Sequence, residues 1–317
     1  MPVTALGAGG PVVSRIGLGL AALGRPAYIT SGREQDLPDR SVAGLRTRTF
    51  SMLDAAYAAG VRYADAARSY GRAEEFLAGW LAERGHADMI IGSKWGYRYT
   101  AGWRLDAAQQ EVKEHSLAMF TTQLAQSQAL IGDRLSLYQV HSLTLDSGLF
   151  TDAALLAALS RLRAEGVSIG LSASGPHQGE TIRRAMSLTV DGQQLFTATE
   201  VTWNLLEPSA GAAAAEAAAA GWAVLIKEAV ANGRLTPAGV PPVPMTALAA
   251  ARGVTEDAIA LAAALAQPWS SMVLSGAVTR AQLDENLAAL TVGQLPALSL
   301  AEDPDAYWAE RAARPWH

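Results

Sequence analysis

Residues 135–171 read LSLYQVHSLTLDSGLFTDAALLAALSRLRAEGVSIGL, and this stretch sets the pattern of the whole chain. An apolar run, Leu135–Val140, precedes a helical stretch, Asp152–Glu165, and a second apolar run, Val167–Leu171. Asp152 stands where a helix needs an N-cap acceptor, and Gly166 stands where the chain must leave the helix for the next strand. Two strands joined by a helix lie parallel, because a tight turn can only return the chain antiparallel.

The same unit recurs on both sides. The strand candidates are Arg15–Leu20, Val61–Ala64, Met89–Ser93, Leu135–Val140, Val167–Leu171, Phe196–Trp203, Trp222–Glu228 and Ser271–Leu274. Between and after them run helical segments at Val42–Ala59, Ala73–Glu83, Asp106–Leu130, Asp152–Glu165, Gly179–Met186, Ala212–Ala220, Thr255–Ala266 and Thr279–Leu290. Gly60 and Gly221 close helices as Gly166 does, and Thr255 opens one as Asp152 does. Eight strand–helix units in 317 residues match a (β/α)8 TIM barrel of the α/β class, expected as one domain over residues 1–317. The opening Val3–Val13 segment, with Gly7, Gly9 and Gly10 in its middle, suits an N-terminal β-hairpin closing the lower face of the barrel. A C-terminal tail carrying Trp308–Trp316 follows the last unit.

The stretch Gly17-Leu-Gly19-Leu-Ala-Ala22 satisfies a permissive dinucleotide fingerprint after a strand onset. Gly24, Pro26 and the polar Ser31–Arg40 segment follow where the crossover helix should start, so a Rossmann reading lacks its phosphate-binding helix. Composition narrows the function further. Half the residues are hydrophobic and 17% are charged, enough to bury a large core, and a net charge of −5 without a basic block argues against nucleic acid. The absence of cysteine removes disulfides, thiolate metal sites and cysteine nucleophiles together. Met1–Gly10 lacks a basic region followed by an apolar one, and the weakly polar run Ala210–Ile226 is broken by Gly211, Glu216 and Gly221. Neither a secretory signal nor a membrane span is expected, and a cytoplasmic protein follows by default.

In a parallel barrel, chemistry gathers beyond the C-terminal ends of the strands. Those ends carry Asp65, Lys94, His141, Ser172, Asn204, Lys227 and Ser275. The chain has only three lysines, and two of them, Lys94 and Lys227, lie in apolar strand contexts where an ammonium must be paired or used. Taken singly, Asp65 and Lys94 read as a structural ion pair, Tyr70 as a loop aromatic and His141 as a core histidine. In order, one set per consecutive strand end, Asp65-Ala-Ala-Arg-Ser-Tyr70-Gly71, Ser93-Lys94 and Leu137-Tyr-Gln-Val-His141 resemble the D-x-x-x-x-Y-G, S-K and L-x-x-x-H signatures of the aldo-keto reductase superfamily. The likeness extends to Ser275-Gly276-x5-Gln282-x3-Asn286 near the end of the chain.

The resemblance implies an oxidoreductase moving a hydride between NAD(P)H and the carbonyl of an aldehyde, ketone or aldose. Carbonyl reduction needs a proton at oxygen as hydride reaches carbon, and a free tyrosine, with a pKa near 10, is a poor acid at neutral pH. Tyr70 then serves as general acid, Lys94 tunes its pKa, Asp65 holds Lys94, and His141 orients the carbonyl. Cofactor contacts are implied at Gly19, Ser172, Trp203, Lys227, Ser275, Gly276, Thr279, Arg280, Gln282 and Asn286. Tyr28, Trp95 and Tyr97, with Tyr99 and Trp103, are expected around the substrate mouth. His86, His115, His177 and His317 lack metal-ligand spacing, so no metal and no role are assigned to them.

The chain departs from the common family pattern on the cofactor side. Ser172-Ala173 replaces Ser-Asn, Glu200 stands for a glutamine that meets the nicotinamide amide, and Trp203-Asn204 replaces Tyr-Asn. Lys227 stands where an aromatic would stack on nicotinamide. Gly276, Val278 and Gln282 occupy positions that often carry charge or phosphate contacts, leaving Arg280 as the cation for a 2′-phosphate. NADP(H) with weak discrimination, and some NAD(H) use, is the expectation. These departures admit an alternative: a weakly active cofactor-binding barrel serving as a regulatory subunit, as the same barrel does for some potassium channels. The sequence names no specific substrate and no oligomeric state.

Overall fold

In the computed structural model, which describes residues 1–30 and 33–316, eight parallel strands pair in chain order until the last meets the first. They are β1 (Ile16–Gly19), β2 (Tyr63–Asp65), β3 (Ile90–Trp95), β4 (Leu135–Leu143), β5 (Ser168–Ala173), β6 (Ala198–Thr202), β7 (Ala223–Lys227) and β8 (Met272–Ser275). Pairing of Val273 with Ile16 and of Ser275 with Leu18 closes the (β/α)8 barrel expected from the alternation. Around it run α1 (Val42–Ala58), α2 (Ala73–Arg84), α3 (Leu117–Ile131), α4 (Ala153–Ala164), α5 (Gln178–Met186), α6 (Gly211–Ala219), α7 (Val243–Arg252), α8 (Glu256–Leu265), α9 (Arg280–Ala288) and α10 (Pro304–Ala313).

Side-chain caps explain several helix starts. Ser41, Ser116, Asp152, Thr279 and Asp303 each accept a first-turn backbone N–H. The structure corrects one expected helix. Asp106–Leu130 is helical only from Leu117, because Glu111–Lys113 pairs antiparallel with Tyr97–Tyr99 and Ser116 caps the helix after it. Among the described residues, the helices outside the expected set include a single turn at Arg33–Asp36, α7 after β7 and α10 within the expected tail. The fingerprint glycines Gly17 and Gly19 belong to β1, whose neighbours β8 and β2 make it a barrel strand.

The N-terminal hairpin, Val3–Ala5 with Val12–Ser14, plugs the barrel from below. Its Leu6 and Val13 pack with Tyr63, Leu137, Ala198, Ala223, Leu225 and Met272, and Ala8 N–H donates to the Gly221 carbonyl at 2.9 Å. A larger core fills the space between the barrel's outer face and its helices. The inner layer holds a polar misfit. The Tyr63 hydroxyl is fully buried without a hydrogen-bond partner, and it fits only because Gly92 faces it; a Cβ there would come within 1.9 Å of it. A Tyr63→Phe change should therefore raise unfolding stability by about 1 kcal/mol, since it removes an unsatisfied donor without altering the ring. Denaturant midpoints check this, and a fall in stability would show that the hydroxyl is satisfied.

Candidate active site

The strand ends meet on one face of the barrel. Asp65 ends β2, Lys94 is one residue short of the end of β3, Glu200 lies in β6, and Lys227 and Ser275 end β7 and β8. Beyond β2 the chain turns sharply through Tyr70-Gly71. Gly71 has φ +60°, and a Cβ on it would lie 2.4 Å from the Gly24 carbonyl oxygen, which accepts from Arg72 N–H at 2.7 Å. This close approach zips the loop after β1 onto the loop after β2 and brings Arg25 beneath Tyr70.

Lys94 is fully buried and donates through Nζ to Asp65 Oδ2, with Glu200 Oε2 at 3.2 Å. Glu200 Oε2 also accepts from Gln139 Nε2 at 3.0 Å. One ammonium thus serves two carboxylates, all three nearly fully buried. Burial would lower the Lys94 pKa, but Asp65 and Glu200 outweigh it and keep the ammonium firmly charged. Burial pushes the Asp65 carboxyl up; Lys94 opposes this and Glu200 adds to it.

Lys94 Nζ lies 5.2 Å from the Tyr70 ring centroid on one side, and the Arg25 guanidinium lies 5.0 Å from it on another. Arg25 is itself held by Glu111 Oε2 at 2.9 Å and the Ser69 carbonyl at 3.1 Å, and it stacks against Tyr28 and Trp316. Burial raises the Tyr70 phenol above its ordinary value. Lys94 lowers it, while Asp65 and Glu200 raise it. Lys94 does pull the phenol down, but burial, with Asp65 and then Glu200, outweighs it, and Tyr70 is held as a proton donor.

His141 sits on an irregularity of β4. Its register with β5 shifts between Val140 and Leu143, Ser142 takes φ +50°, and Ser142 N–H donates to Ser172 Oγ at 2.8 Å. His115 Nε2, 2.9 Å from the His141 carbonyl, must be the protonated nitrogen, and its Nδ1 then accepts from Ser147 Oγ. Ser172 and His115 therefore shape the bulge that aims His141. The imidazole of His141 meets Tyr70 edge-on at 5.5 Å between centroids and Tyr97 at 5.0 Å. Burial, followed by the cations Lys94, Arg25 and Lys227, drives its pKa well down, so it is neutral and retains one N–H donor.

A cavity of about 330 Å³ opens from this cluster. It runs from Asp65, Tyr70, Glu200 and Lys227 past Gly19 and Ser275 to Gln282 and Asn286. Of the expected cofactor residues, Gly19, Lys227, Ser275, Gly276, Gln282 and Asn286 line it. Ser172, Trp203, Thr279 and Arg280 do not. Trp203 packs edge-on against Trp269, Thr279 caps α9, and the Arg280 guanidinium is exposed and bonded to Asp284 at 2.8 Å. Of the expected substrate aromatics, Tyr28 lines the cavity and Tyr97 flanks His141. Trp95 instead is fully buried against Phe120, because its side chain leaves the barrel wall toward α3. His317 lies outside the described residues.

The wall beside β7 depends on α10 and the residue after it. Glu228, Ala231 and Asn232 all have positive φ, and Arg311 and Arg314 bind the first and last of them. Arg311 Nε donates to Glu228 Oε2 at 2.8 Å, Arg314 donates to the Asn232 carbonyl at 3.0 Å, and Asn204 Nδ2 donates to Tyr307 Oη at 3.0 Å. Burial alone would raise Glu228, but Arg311 and Lys227 hold it down at about 2. Sequence reasoning missed Arg25, Glu228 and Arg311; Asp303-Pro304, a cap followed by a first-turn proline, was the available signal for the helix carrying Arg311.

The residues present fit a nicotinamide dinucleotide. The cavity lining joins the strand-end cluster to Ser275, Gln282 and Asn286, and a Cβ at Gly276 would meet nothing within 4 Å, leaving backbone open to a ligand. Among the described residues, no helix is long and apolar enough to cross a membrane.

The chain is similar in fold to an aldo-keto reductase of Bacillus halodurans in its holo form, with a TM-score of 0.68 and 20% identity over 98% of this chain and 96% of that one. It is also similar to a protein of Pseudomonas aeruginosa assigned to the same reductases, with a TM-score of 0.66 and 24% identity over 92% and 95% of the two chains. None of the curated proteins compared matches it. The profile of the aldo/keto reductase family matches residues 15–302, nearly the whole barrel. With its barrel, its strand-end cluster and this match, the chain belongs to the aldo/keto reductase family.

Proposed function

We propose that the chain reduces the carbonyl of a small aldehyde, ketone or aldose to the alcohol, or runs the reverse, with Asp65, Tyr70, Lys94 and His141 as its working set. The observation that carries this reading is Tyr70: a protonated phenol at the cavity wall, flanked by two buried cations and touched by a neutral imidazole. A bound nicotinamide dinucleotide would supply the hydride. Tyr70 Oη gives its proton to the carbonyl oxygen, and the charge left on the phenolate is met by Lys94 and Arg25. His141, neutral, donates its remaining N–H to the same oxygen and fixes the angle of the carbonyl. Tyr28 and Tyr97 offer aromatic faces to a planar or sugar-like substrate.

The test is steady-state oxidation of NADH and NADPH with a panel of aldehydes, ketones and aldoses. Turnover limited to trace rates across the panel would favour a cofactor-binding regulatory subunit. The second carboxylate gives a pH test as well. Reduction needs Tyr70 protonated, so kcat/KM falls as pH rises through the phenol's pKa, and Glu200 raises that pKa. In a Glu200→Gln variant the alkaline limb should move to lower pH. A limb unmoved by the change would separate Glu200 from the proton transfer.

A further inference from the structure

We propose that the far end of the cavity selects a dinucleotide whose adenosine ribose carries a free 2′-hydroxyl, so that the protein binds NAD(H) more tightly than NADP(H). The proposal rests on the reading of this cavity as a nicotinamide site. Proton and hydride must reach the same carbonyl, so the nicotinamide lies at the end lined by Tyr70, Asp65 and Lys227. The adenosine half then extends to the other end, along Ser275–Val278 and the first turns of α9.

The charge there is of one sign. Among the described residues, the titratable groups lining that end are Asp36, Asp257 and Glu285, and the one cation lining the cavity, Lys227, belongs to the nicotinamide end. Gln282 stands where a phosphate clamp was sought in the sequence. Its Oε1 accepts from Val278 N–H at 2.9 Å, and its Nε2 donates to Asp36 Oδ2 at 2.7 Å. The residue is thus committed to holding a carboxylate at the cavity rim. Arg280, two residues before it, is bonded to Asp284 and faces solvent.

Asp257 adds a buried carboxylate to this end. It is 4% exposed, and its Oδ2 accepts from Asn286 Nδ2 at 2.7 Å. Asn286 Oδ1 in turn accepts from Ser275 Oγ at 2.7 Å, so this local network holds a carboxylate and no cation. Burial raises the Glu285 carboxyl, and Asp257, Asp284 and Asp36 raise it further, which places these carboxylates within one another's field. Sugar hydroxyls donate to carboxylate oxygens, whereas a 2′-phosphate dianion would face like charge.

Direct binding decides the matter without turnover. NADH and NADPH are titrated by calorimetry into the wild-type protein and into Asp36→Asn, Glu285→Gln and Gln282→Arg variants, at low and moderate salt. NADH should bind ~10-fold or more tighter than NADPH at low salt, with the ratio shrinking as salt screens the carboxylates. Each of the three variants should narrow the ratio, and Gln282→Arg should do so by tightening NADPH. Equal or tighter binding of NADPH to the wild type would overturn the proposal while leaving the reductase reading standing. A preference for NADH untouched by all three variants would overturn the assignment to these residues. Failure of both dinucleotides to bind would overturn the proposal together with the nicotinamide reading beneath it.

Discussion

In a Tyr70→Phe variant, turnover of a carbonyl substrate should fall by about 10²-fold or more while dinucleotide affinity stays within about threefold of wild type, the signature of a lost general acid. The split follows from where the hydroxyl sits. The ring of Tyr70 keeps its stacking on Arg25 and its edge contact with His141 when the oxygen is removed, so the cavity wall is preserved. What goes is the one phenolic proton that both buried cations flank. His141 cannot replace it, because burial and the neighbouring cations keep its imidazole neutral, with no imidazolium proton to give. Steady-state rates and a binding titration on the same preparation read the two quantities separately. A variant retaining near-full turnover would remove Tyr70 from the proton path.

The Lys94→Met change should be worse for the fold than for any single contact it breaks. It leaves Asp65 and Glu200 facing each other, both nearly inaccessible to water, with no counter-charge between them. Breaking a buried ion pair by removing one partner costs about 3–5 kcal/mol, because the charge left behind must be kept desolvated or protonated. Activity should fall together with stability. To separate the two, Lys94→Met is compared with Lys94→Met combined with Glu200→Gln. The double variant keeps one carboxyl, which can take up a proton, and should recover part of the lost stability while remaining inactive. A single variant as stable and active as wild type would mean that the three groups do not form one charge cluster.

Much of this site was legible because residue type and strand position coincide. Asp65, Lys94 and His141 fall at consecutive strand ends, and the spacing of Tyr70 from Asp65 leaves room for one turn, so the sequence carries their convergence once the barrel is recognised. Arg25 had no such signal: it is one of 22 arginines, and its ring partners come from positions 28, 70 and 316. The hairpin of Tyr97–Tyr99 with Glu111–Lys113 was hidden by its shortness and by the alanines at 107 and 108, whose helix preference is overridden by pairing across the loop. Helix α7 was masked by the prolines at 242 and 244, which read as breakers although a proline in the first turn costs a helix nothing. The Arg280–Asp284 bond was readable, since residues four apart on a helix face each other, and that spacing already argued against a free cation at this position.

The grip of α10 on the loop after β7 separates closing the barrel from setting its cavity wall. All eight strands precede α10 in the chain, and pairing of β8 with β1 closes the barrel without it. The left-handed conformations at Glu228, Ala231 and Asn232 each cost about 1 kcal/mol or more, and short bonds within the loop, such as Ala231 N–H to the Glu228 carbonyl, do not tie the loop to the rest of the protein. Arg311 and Arg314 make that tie. A chain stopped short of α10 would therefore be a closed barrel whose cavity wall beside β7 lacked its arginine anchors.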